Sequence, residues 1–574
     1  MSTVGVAVAA TFVAPAGADS VLPGTKSRPA DTATQPSAVG LIVTTTRTAP
    51  SESEVSGIAR AAGARSSEVE PLLRGVVTVP FDARVTGDEA LAAAAEMEKL
   101  PGVVAAEPNY VINRAVASPV PVNDSGFRRQ HGTWDARFRS PAGGYSARAP
   151  YVWRTTKGST KVTVAVLDTG YTKHADLDAN RVAGYDFVSQ EADPFNRDGV
   201  AGRDADASDP GDWVGAGQCV EGDQSYPDRD LNSSWHGTHV AGTIAAIDNN
   251  NKGVVGVAPN VKFQPIRVLG PCGGTVADIA AAITWASGAA VPGVPTNKTP
   301  AKVINLSLGG PGTCDSVTSK AVLTARTRGA VVVAAAGNES TQTQIAPLSV
   351  PANCPGVFGV VAADEFGQAA GYSNQGTKSA RAKIAAPGGE PSDGYTGIYS
   401  TYNSGTTTPG SAWYAELVGT SMATPHVAGA AALLFSLGYN RADAETALVR
   451  TVRPFPQYGD EYDCISRSAA TTSQPDCGAG LLDLAQVPTV YGSRLVGGTA
   501  RSGSVVSTGL RPGGIGVKVS YRWYRNGQPI MGATSSKYRL TSADKGKKLY
   551  ARIAISKSGF RTQTAVSHTR TASR

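Results

Sequence analysis

Residues 419–429 read Gly-Thr-Ser-Met-Ala-Thr-Pro-His-Val-Ala-Gly, and this stretch decides the fold. Gly419 frees the backbone for a tight turn, and Ser421 follows at the predicted start of a helix. Pro425 lies early, where a missing N–H does least harm. The small apolar residues that come next predict a helix buried on every side. A serine at such a helix start lies near unpaired N–H groups and the positive end of the helix dipole, which suits either a capping residue or a nucleophile.

The length and composition place this stretch in a large protein. A chain of 574 residues is too long for one hydrophobic core, so roughly three or four domains are expected. Charged residues make up 17% of the chain, and 65 glycines and 36 prolines favour a loop-rich secreted protein over a helical cytosolic one.

The charge is distributed unevenly along the chain. Residues 489–574 contain 16 Lys and Arg against one acid, Asp544, a net charge of +15. The remaining residues, 1–488, contain 37 basic and 45 acidic residues, a net charge of −8. This asymmetry predicts two separate pieces with different surfaces.

The first 18 residues predict a signal peptide. Val4–Val13 is a short apolar run, and Ala16-Gly17-Ala18 suits signal peptidase, although no Lys or Arg precedes the run. The run is too short to span a bilayer, and the sequence contains no other candidate membrane span. Residues 19–38 are rich in Pro, Ser and Thr and predict a disordered linker.

Residues 39–113 predict a small α+β domain. The order of elements is typical of a ferredoxin-like split βαβ fold. Strands are expected at 39–44, 76–80 and 103–111, and helices at 52–62 and 87–100. Residues 114–150 are rich in Pro, Ser, Gly and Arg and predict a linker or processing site, with the arm of the next domain.

Residues 151–488 predict an α/β domain with a mostly parallel sheet, because continuous apolar runs alternate with helical patterns. Active residues should then lie beyond the carboxyl ends of the strands. Strands are expected at 162–167, 261–268, 302–306, 331–334 and 357–362, and helices at 236–247, 276–287, 316–329 and 421–436. Residues 489–574 switch to short alternating strands with an Asn526-Gly527 hairpin turn, which predicts a small β-sandwich.

A serine nucleophile needs a base, and six histidines are available. His426 is close to Ser421 in sequence, but five helical residues turn it about 140° away, so a structural role is expected. His236 and His239 lie three residues apart on one helix face. A zinc pair is the alternative, weakened by the absence of an HExxH glutamate and of a nearby thiol. His236 can meet a partner at the helix start, and His239 is expected to pack deeper.

Two further polar residues follow predicted strands. Asp168 ends the strand 162–167, where it is either a turn-closing residue or an acid that orients a histidine. Asn338 follows the strand 331–334, where its amide can donate to an oxyanion or close a turn.

Three motifs together resemble those of the subtilisin-like (subtilase) serine proteases. These are VAVLDTG around Asp168, HGTHVAGTIAA from His236, and GTSMATPHVAG around Ser421. The chain order Asp168, His236, Ser421 is similar to the subtilisin order. The resemblance covers residues 161–488 and implies a three-layer subtilisin-like fold.

The resemblance implies a role for each candidate. Ser421 would be the nucleophile, His236 the general base and then acid, and Asp168 the residue that orients the imidazole. Asn338 and the Ser421 N–H would form the oxyanion hole. Ser307-Leu308-Gly309 is similar to the segment that pairs with substrate backbone, and Ala335-Ala336-Gly337 to the opposite wall of the first specificity pocket.

The same resemblance implies a secreted bacterial endopeptidase that acts on proteins or peptides without a catalytic cofactor. The domain 39–113 would be an inhibitory prosegment, removed by self-cleavage near 114–122. Residues 489–574 look like Ig-like modules of secreted bacterial proteins. Their charge fits an anionic cell-wall polymer, and a role in solubility explains it equally well. We expect a monomer without a nucleic-acid partner.

The loop 191–230 departs from a minimal subtilisin because it is rich in acids. We expect Asp193, Asp198, Asp206 and Asp209 to help bind one structural Ca²⁺, although no EF-hand pattern is present and a solvated acidic loop is the plain alternative.

The six cysteines are even in number and contain no CxxC pair, which favours disulfides over a zinc site. We expect sequential pairing, although six cysteines allow many arrangements. The expected pairs are Cys219–Cys272, Cys314–Cys354 and Cys464–Cys477.

Two other functions compete with hydrolysis. An adhesive surface protein with an inactive α/β scaffold is disfavoured by the complete set of Asp168, His236 and Ser421. A transpeptidase on the same fold would use the same residues, and product analysis would separate it from a hydrolase.

Overall fold

The computed structural model describes residues 38–46, 51–61, 69–73, 75–85, 87–110, 122–134, 145–189, 196–200, 202–221, 224–341, 344–377, 379–391, 397–456, 464, 476–491, 495–496 and 502–573. The predicted signal peptide, almost all of the linker 19–38, and Asp193 lie outside these residues. The described residues fall into two compact units, one containing 38–110 and the other containing the residues from 122 onward.

The N-terminal unit is a four-stranded antiparallel sheet with two helices. Its strand order, β2-β3-β1-β4, is the expected ferredoxin-like arrangement. Its elements are β1 (Ala38–Thr45), α1 (Glu52–Ala61), β2 (Glu70–Leu73), β3 (Val76–Val85), α2 (Gly87–Met97) and β4 (Val103–Tyr110). Leu41, Val79 and Met97 lie in its core. The sequence did not predict β2, a four-residue strand with a proline, a residue that sheets tolerate at an edge.

The second unit is built on a nine-stranded sheet in the order β16-β17-β13-β12-β11-β10-β5-β9-β6. All neighbouring pairs are parallel except β16 with β17, so the prediction of a mostly parallel sheet is confirmed. The strands are β5 (Thr163–Asp168), β6 (Tyr185–Asp186), β9 (Lys262–Arg267), β10 (Val303–Leu306), β11 (Val331–Ala335), β12 (Phe358–Ala363), β13 (Ile384–Pro387), β16 (Val452–Arg453) and β17 (Leu481–Leu482).

Helices cover both faces of this sheet and give the expected three layers. Ile283 and Val322, from α5 and α6, pack in one core with Leu167 and Leu306 of the sheet. Helices α4 and α7 contact each other, and α7 crosses strands β10 to β13. The helices are α3 (Pro150–Trp153), α4 (His236–Ala245), α5 (Val276–Ala286), α6 (Ser316–Thr327), α7 (Thr420–Ser436) and α8 (Arg441–Leu448).

The central helix α7 is buried on every side from Thr420 to Leu434, as its sequence predicts. Gly419, just before it, has a φ of 154°, a conformation that favours glycine. One expectation is wrong. Pro425 is the sixth residue of the helix and not part of its first turn, so its missing N–H removes a helical hydrogen bond that Ser421 would otherwise accept.

Two β-hairpins flank the sheet, and the sequence predicted neither of them. The larger pairs β14 (Ile398–Asn403) with β15 (Ala412–Leu417), and the smaller pairs β7 (Cys219–Glu221) with β8 (Gln224–Tyr226). Strand β14 packs on α4 with buried hydroxyls, because Ser400 and Thr401 donate hydrogen bonds to helix carbonyls. Strands are predicted from the alternation of apolar and polar residues, so a strand whose buried residues are polar is not recognised.

The C-terminal residues form the predicted β-sandwich. Trp523 of one sheet and Val506 of the facing sheet share a core. The strands are β18 (Thr489–Tyr491), β19 (Leu495–Val496), β20 (Val505–Thr508), β21 (Arg511–Gly513), β22 (Lys518–Arg525), β23 (Gln528–Pro529), β24 (Lys537–Arg539), β25 (Lys548–Ser556), β26 (Gln563–Val566) and β27 (Arg570–Thr571). These residues belong to the same compact unit as the α/β domain, and Arg561 N donates to the hydroxyl of Tyr439.

The cysteines form three disulfides in sequential order, as expected: Cys219–Cys272, Cys314–Cys354 and Cys464–Cys477. In the described part of the chain, no helix combines the length and apolar character needed to cross a membrane.

The central strands predict a matched pair of stability changes. L306A removes a fully buried side chain from β10 and should lower the free energy of unfolding of the second unit by about 2–5 kcal/mol, because it leaves a cavity. L323A makes the same change at a position that is 64% exposed, and should cost about 0.5 kcal/mol or less. Urea titration followed by tryptophan fluorescence measures both. Equal losses would contradict the assignment of β10 to the core.

Candidate active site

Three neighbouring strands of the sheet end beside two helix starts. Asp168 is the last residue of β5, Ser307 follows β10, and Asn338 lies three residues beyond β11. Because β5, β10 and β11 are adjacent and parallel, their carboxyl ends meet at one edge of the sheet. Helix α4 begins with His236, and Ser421 is the second residue of α7.

His236 and Asp168 form a fully buried hydrogen-bonded pair. His236 Nδ1 lies 2.7 Å from Asp168 Oδ1, and neither side chain is exposed to solvent. The same carboxylate oxygen accepts from the Thr169 backbone N–H at 2.8 Å. His236 Nε2, on the other side of the ring, has no hydrogen-bond partner among the described residues. The pair therefore fixes the imidazole with Nε2 able to accept a proton.

Gly237 allows the helix to approach the strand this closely. A Cβ at this position would lie 2.1 Å from the Gly170 carbonyl oxygen and 3.1 Å from Asp168 Cβ. The Gly237 N–H instead donates to the Thr169 hydroxyl at 3.1 Å. Any larger residue would push the start of α4 away from Asp168.

Two carboxylates support the start of the same helix, the buried Asp209 and the half-buried Asp212, and the sequence had not identified this role for them. Asp209 Oδ2 accepts from the Thr169 hydroxyl at 2.7 Å, and that hydroxyl accepts from Gly237 N. Asp212 accepts from both the N–H and the hydroxyl of Ser234, and that hydroxyl accepts from His236 N at 3.3 Å. Each carboxylate thus reaches one of the first two N–H groups of α4 through a hydroxyl, which suits the positive end of a helix.

The electrostatics of these groups are coupled. Burial raises the pKa of Asp212, and raises that of Asp209 to about 8. Burial by itself would lower the pKa of His236, but the charge and hydrogen bond of Asp168, together with the charges of Asp212 and Asp209, raise it above its ordinary value. A base with a raised pKa is neutral, and so able to accept a proton, only above that pKa.

Ser421 is held by a reciprocal pair of hydrogen bonds with Ser307. The Ser421 hydroxyl donates to the Ser307 carbonyl at 3.1 Å, and the Ser307 hydroxyl donates to the Ser421 carbonyl at 2.8 Å. The second bond uses the carbonyl that Pro425 leaves without its helical partner. Because Pro425 leaves the Ser421 carbonyl free to accept from Ser307, the start of α7 is bonded to the residue that follows β10.

Asn338 and the Ser421 backbone place two N–H donors around one point. Asn338 Oδ1 accepts from the Thr420 N–H and hydroxyl, both at 2.9 Å. These bonds fix which way the amide faces. A Cβ built at Gly419 would lie 3.6 Å from Asn338 Nδ2 and 3.6 Å from Ser421 N. Two donors flanking a shared point can stabilise a developing oxyanion.

The two predicted substrate segments are well anchored. Ser307 and Leu308 are buried and Gly309 is half-buried, and Gly310 just after them exchanges two backbone hydrogen bonds with Val350. Ala335, Ala336 and Gly337 are buried as well. Gly337 has a φ of 109°, and a Cβ there would lie 2.3 Å from the Ser349 hydroxyl.

The other two histidines near these helices are structural, as expected. His239 Nε2 bonds to the Ile398 carbonyl at 2.9 Å, and His426 Nδ1 bonds to the Met422 carbonyl at 2.8 Å. Burial lowers the pKa of His239 to about 3 and that of His426 to about 4, so both stay neutral at physiological pH. Neither belongs to a metal cluster in the described residues.

Three of the four acids expected to bind calcium, Asp198, Asp206 and Asp209, lie in the described residues. Asp198 pairs with the buried guanidinium of Arg267 at 3.0 Å, and Asp206 is exposed. Asp209 accepts from the Thr169 hydroxyl and the Gly211 N–H. Among the described residues, no group of three or more acids, histidines or cysteines is placed to hold a metal ion, and Asp193 lies outside them.

Arg267 is the partner of Asp198 in this loop. Its side chain is 1% exposed, and Nη1 donates to Asp186, to Asn196 Oδ1 at 2.8 Å and to Asp198. These are oxygen ligands of the kind that calcium prefers, but they surround a guanidinium. The cation in this part of the loop belongs to the chain.

The support for His236 predicts a measurable change. D212N keeps the size of the side chain and an oxygen that can accept from Ser234, but removes a charge that raises the pKa of His236. The pKa of His236, followed by NMR of the imidazole during a pH titration, should fall.

The matched control is D206N, which removes an exposed carboxylate of the same loop. It should leave the pKa of His236 nearly unchanged. An unaltered His236 pKa in D212N would mean that Asp212 has only a structural role.

Comparison with known proteins agrees with this geometry. Residues 159–480 match the subtilase family. The chain is 45% identical over 368 residues to an extracellular protease of Xanthomonas campestris pv. campestris, covering 63% of this chain and 58% of that protein. It is 41% identical over 342 residues to an extracellular basic protease of Dichelobacter nodosus, covering 58% and 52% of the two chains. The match thus spans little more than half the length of these two relatives.

A solved structure is also similar. The chain is 44% identical to a protease of Pseudoalteromonas arctica PAMC 21717, with a TM-score of 0.54, over 63% of this chain and 97% of that one. The matched family region contains Asp168, His236, Asn338 and Ser421. The chain belongs to the subtilase family.

Proposed function

We propose that the chain is a secreted serine endopeptidase that hydrolyses proteins through Ser421, His236 and Asp168. The observation that carries this proposal is the buried hydrogen bond of 2.7 Å between His236 Nδ1 and Asp168, at the start of a helix that contacts the helix carrying Ser421. Family membership supports the reaction class, and the names of the two extracellular relatives support secretion.

In the first half of the reaction, the Ser421 oxygen attacks the scissile carbonyl carbon while His236 Nε2 takes the hydroxyl proton. For this step the hydroxyl rotates from the Ser307 carbonyl toward Nε2. The carbonyl oxygen becomes negative and accepts from Asn338 Nδ2 and Ser421 N. The C–N bond then breaks, and His236 gives its proton to the departing amine. An acyl-enzyme remains on Ser421.

In the second half, water replaces the amine. His236 takes a proton from the water, whose oxygen attacks the ester carbon, and the proton then returns to Ser421 as the acid product leaves. Throughout, Asp168 keeps the imidazole oriented and stabilises its charged form. The hydroxyl, imidazole and carboxylate all come from the chain, so this mechanism uses no cofactor.

Substrate backbone would lie along Ser307-Leu308-Gly309 as an added strand, opposite Ala335-Ala336-Gly337. Both segments follow strands whose carboxyl ends reach Ser421 and Asn338. Protein and peptide chains in extended conformation are the substrates that such a site accepts.

The domain organisation belongs to the same proposal. Residues 1–18 direct secretion, 19–38 link to the prosegment 39–113, and the peptidase domain 151–488 follows the linker 114–150. The ferredoxin-like fold of the described residues 38–110 supports their role as an inhibitory prosegment. Residues 489–574 form a basic module. The active protein is a monomer.

Removing one oxyanion donor tests the proposed mechanism. N338D keeps an oxygen that can accept from Thr420 but replaces the donating amide with a carboxylate oxygen. We expect kcat on a peptide anilide to fall by at least about 10²–10³-fold, the cost known for removing one such donor in a subtilisin. KM should change little.

N353D is the control, because it makes the same substitution at an asparagine outside the site, whose amide bonds to the Gly312 carbonyl. Equal activity in N338D and the unchanged enzyme would exclude Asn338 from the oxyanion hole.

Self-cleavage has its own test. Purified S421A should retain residues 39–113, and the unchanged chain should lose them by a cut near 114–122, as measured by intact-mass spectrometry. S436A alters a half-buried serine at the end of the same helix and should process normally. Identical processing of S421A and the unchanged chain would refute autocatalysis while leaving hydrolysis of other proteins to be judged by casein cleavage.

A further inference from the structure

One face of the C-terminal sheet presents exposed cations to solvent. On β22, Trp523 points into the core, so Arg522 and Lys518 point outward, and both are exposed. On β25, the buried residues alternate in the same way, and Lys548 and Arg552 point outward and are exposed. We call Lys518, Arg522, Lys548 and Arg552, with Tyr524 and Tyr550 between them, the cationic face.

The register brings like charges together. Arg522 lies directly opposite Arg552 in the β22–β25 ladder. Like charges at opposed positions of a sheet destabilise it, so folding does not explain this pair. Asp544 is the one acid in residues 489–574, and it bonds to Arg525, Tyr538 and Thr541.

None of the four cations of this face forms an ion pair within the described residues. Asp544 pairs with Arg525, which is not one of the four. The charge of the cationic face is therefore available to an anionic partner from outside the chain.

Two tyrosines lie next to the opposed arginines. Tyr524 faces Tyr550 in the same ladder, two residues along from Arg522 and Arg552. Their rings stack with centroids 4.8 Å apart and planes inclined by 6°. Each ring thus covers one face of the other. A nucleic-acid base could stack between the two rings only if they moved apart and lost this contact. The hydroxyls can form hydrogen bonds, as can the exposed Ser520 hydroxyl on the same face.

We propose that the cationic face binds a linear polysaccharide that carries carboxylate groups. Guanidinium groups bind carboxylates through two parallel hydrogen bonds, and the tyrosine and serine hydroxyls suit sugar hydroxyls. The face of a β-sheet is an extended surface, which suits an extended polymer. This binding is independent of proteolysis, and it would hold the enzyme on an acidic matrix around its substrates.

The test uses the full chain as S421A, so that digestion does not interfere, and titrates it with polygalacturonate in low salt by calorimetry. The methyl-esterified polymer, which has the same backbone without charge, should not bind. R522Q/R552Q should weaken the binding of polygalacturonate by about tenfold or more, since it removes the two forked donors. R522K/R552K keeps both charges without the forks and should lie between these two.

The matched control is R511Q/K537Q, which removes the same charge from exposed positions on the other sheets of the module. It should weaken binding only slightly. Equal weakening by the two Gln pairs would overturn the proposal and show that only net charge matters. Failure of S421A to bind the acidic polymer would also overturn it. Tighter binding of single-stranded poly(dT) than of polygalacturonate would assign the face to nucleic acid instead. Circular dichroism establishes that each variant is folded.

Discussion

A hydrogen bond between two side chains without solvent exposure, His236 and Asp168, governs how the rest of the α/β domain is arranged. Burying an imidazole and a carboxylate together is unfavourable unless their polar atoms are satisfied. The fold meets this requirement for Asp168 Oδ1 and His236 Nδ1 by bringing a strand end and a helix start into direct contact, and it leaves Asp168 Oδ2 and His236 Nε2 without a partner among the described residues. That contact requires a glycine at 237, because the backbone of Gly170 leaves no room for a side chain.

The surrounding residues extend the same arrangement outward. Thr169 and Ser234 use their hydroxyls to link helix N–H groups to Asp209 and Asp212. The helix start thus has carboxyl groups at its positive end, and the charge and hydrogen bond of Asp168 favour the charged form of the imidazole. The second helix is fixed differently. Pro425 leaves a carbonyl unpaired, and Ser307 donates to it from the neighbouring strand end. Ser421 and His236 are therefore each held by a strand and a helix.

Much of this could be predicted from the sequence. Continuous apolar runs gave the parallel strands, and three motifs located Asp168, His236 and Ser421. The structure agrees with the fold prediction because these signals are local. The role of Asp212 was not predicted, because Asp212 reaches His236 through the hydroxyl of Ser234, which lies 22 residues away in sequence. No short sequence pattern encodes such a link. The hairpin β14–β15 was not predicted, because its buried residues include the polar Ser400 and Thr401 and so do not show an apolar alternation.

The calcium prediction stays a prediction, because the acids were assigned from one segment of the sequence alone. The spacing of the acids in the loop could be seen in the sequence. The partner that neutralises Asp198, however, is Arg267, at the end of a strand 69 residues away. The number of carboxylates in one segment does not show that a basic side chain from another segment lies among them. Likewise, the +15 charge of the C-terminal residues is evident from composition, but only the strand register places Arg522 opposite Arg552.

The buried Arg267 has a consequence for the conditions in which the loop keeps its shape. A metal ion at this position would have a dissociation equilibrium, and dilution or a chelator would remove it. A guanidinium joined to the backbone has none, and it stays charged at any pH at which the protein folds. The carboxylates of Asp186 and Asp198 therefore have a counter-ion at an unchanging local concentration. Asp186, Asn196 and Asp198 therefore keep this partner in surroundings poor in divalent ions.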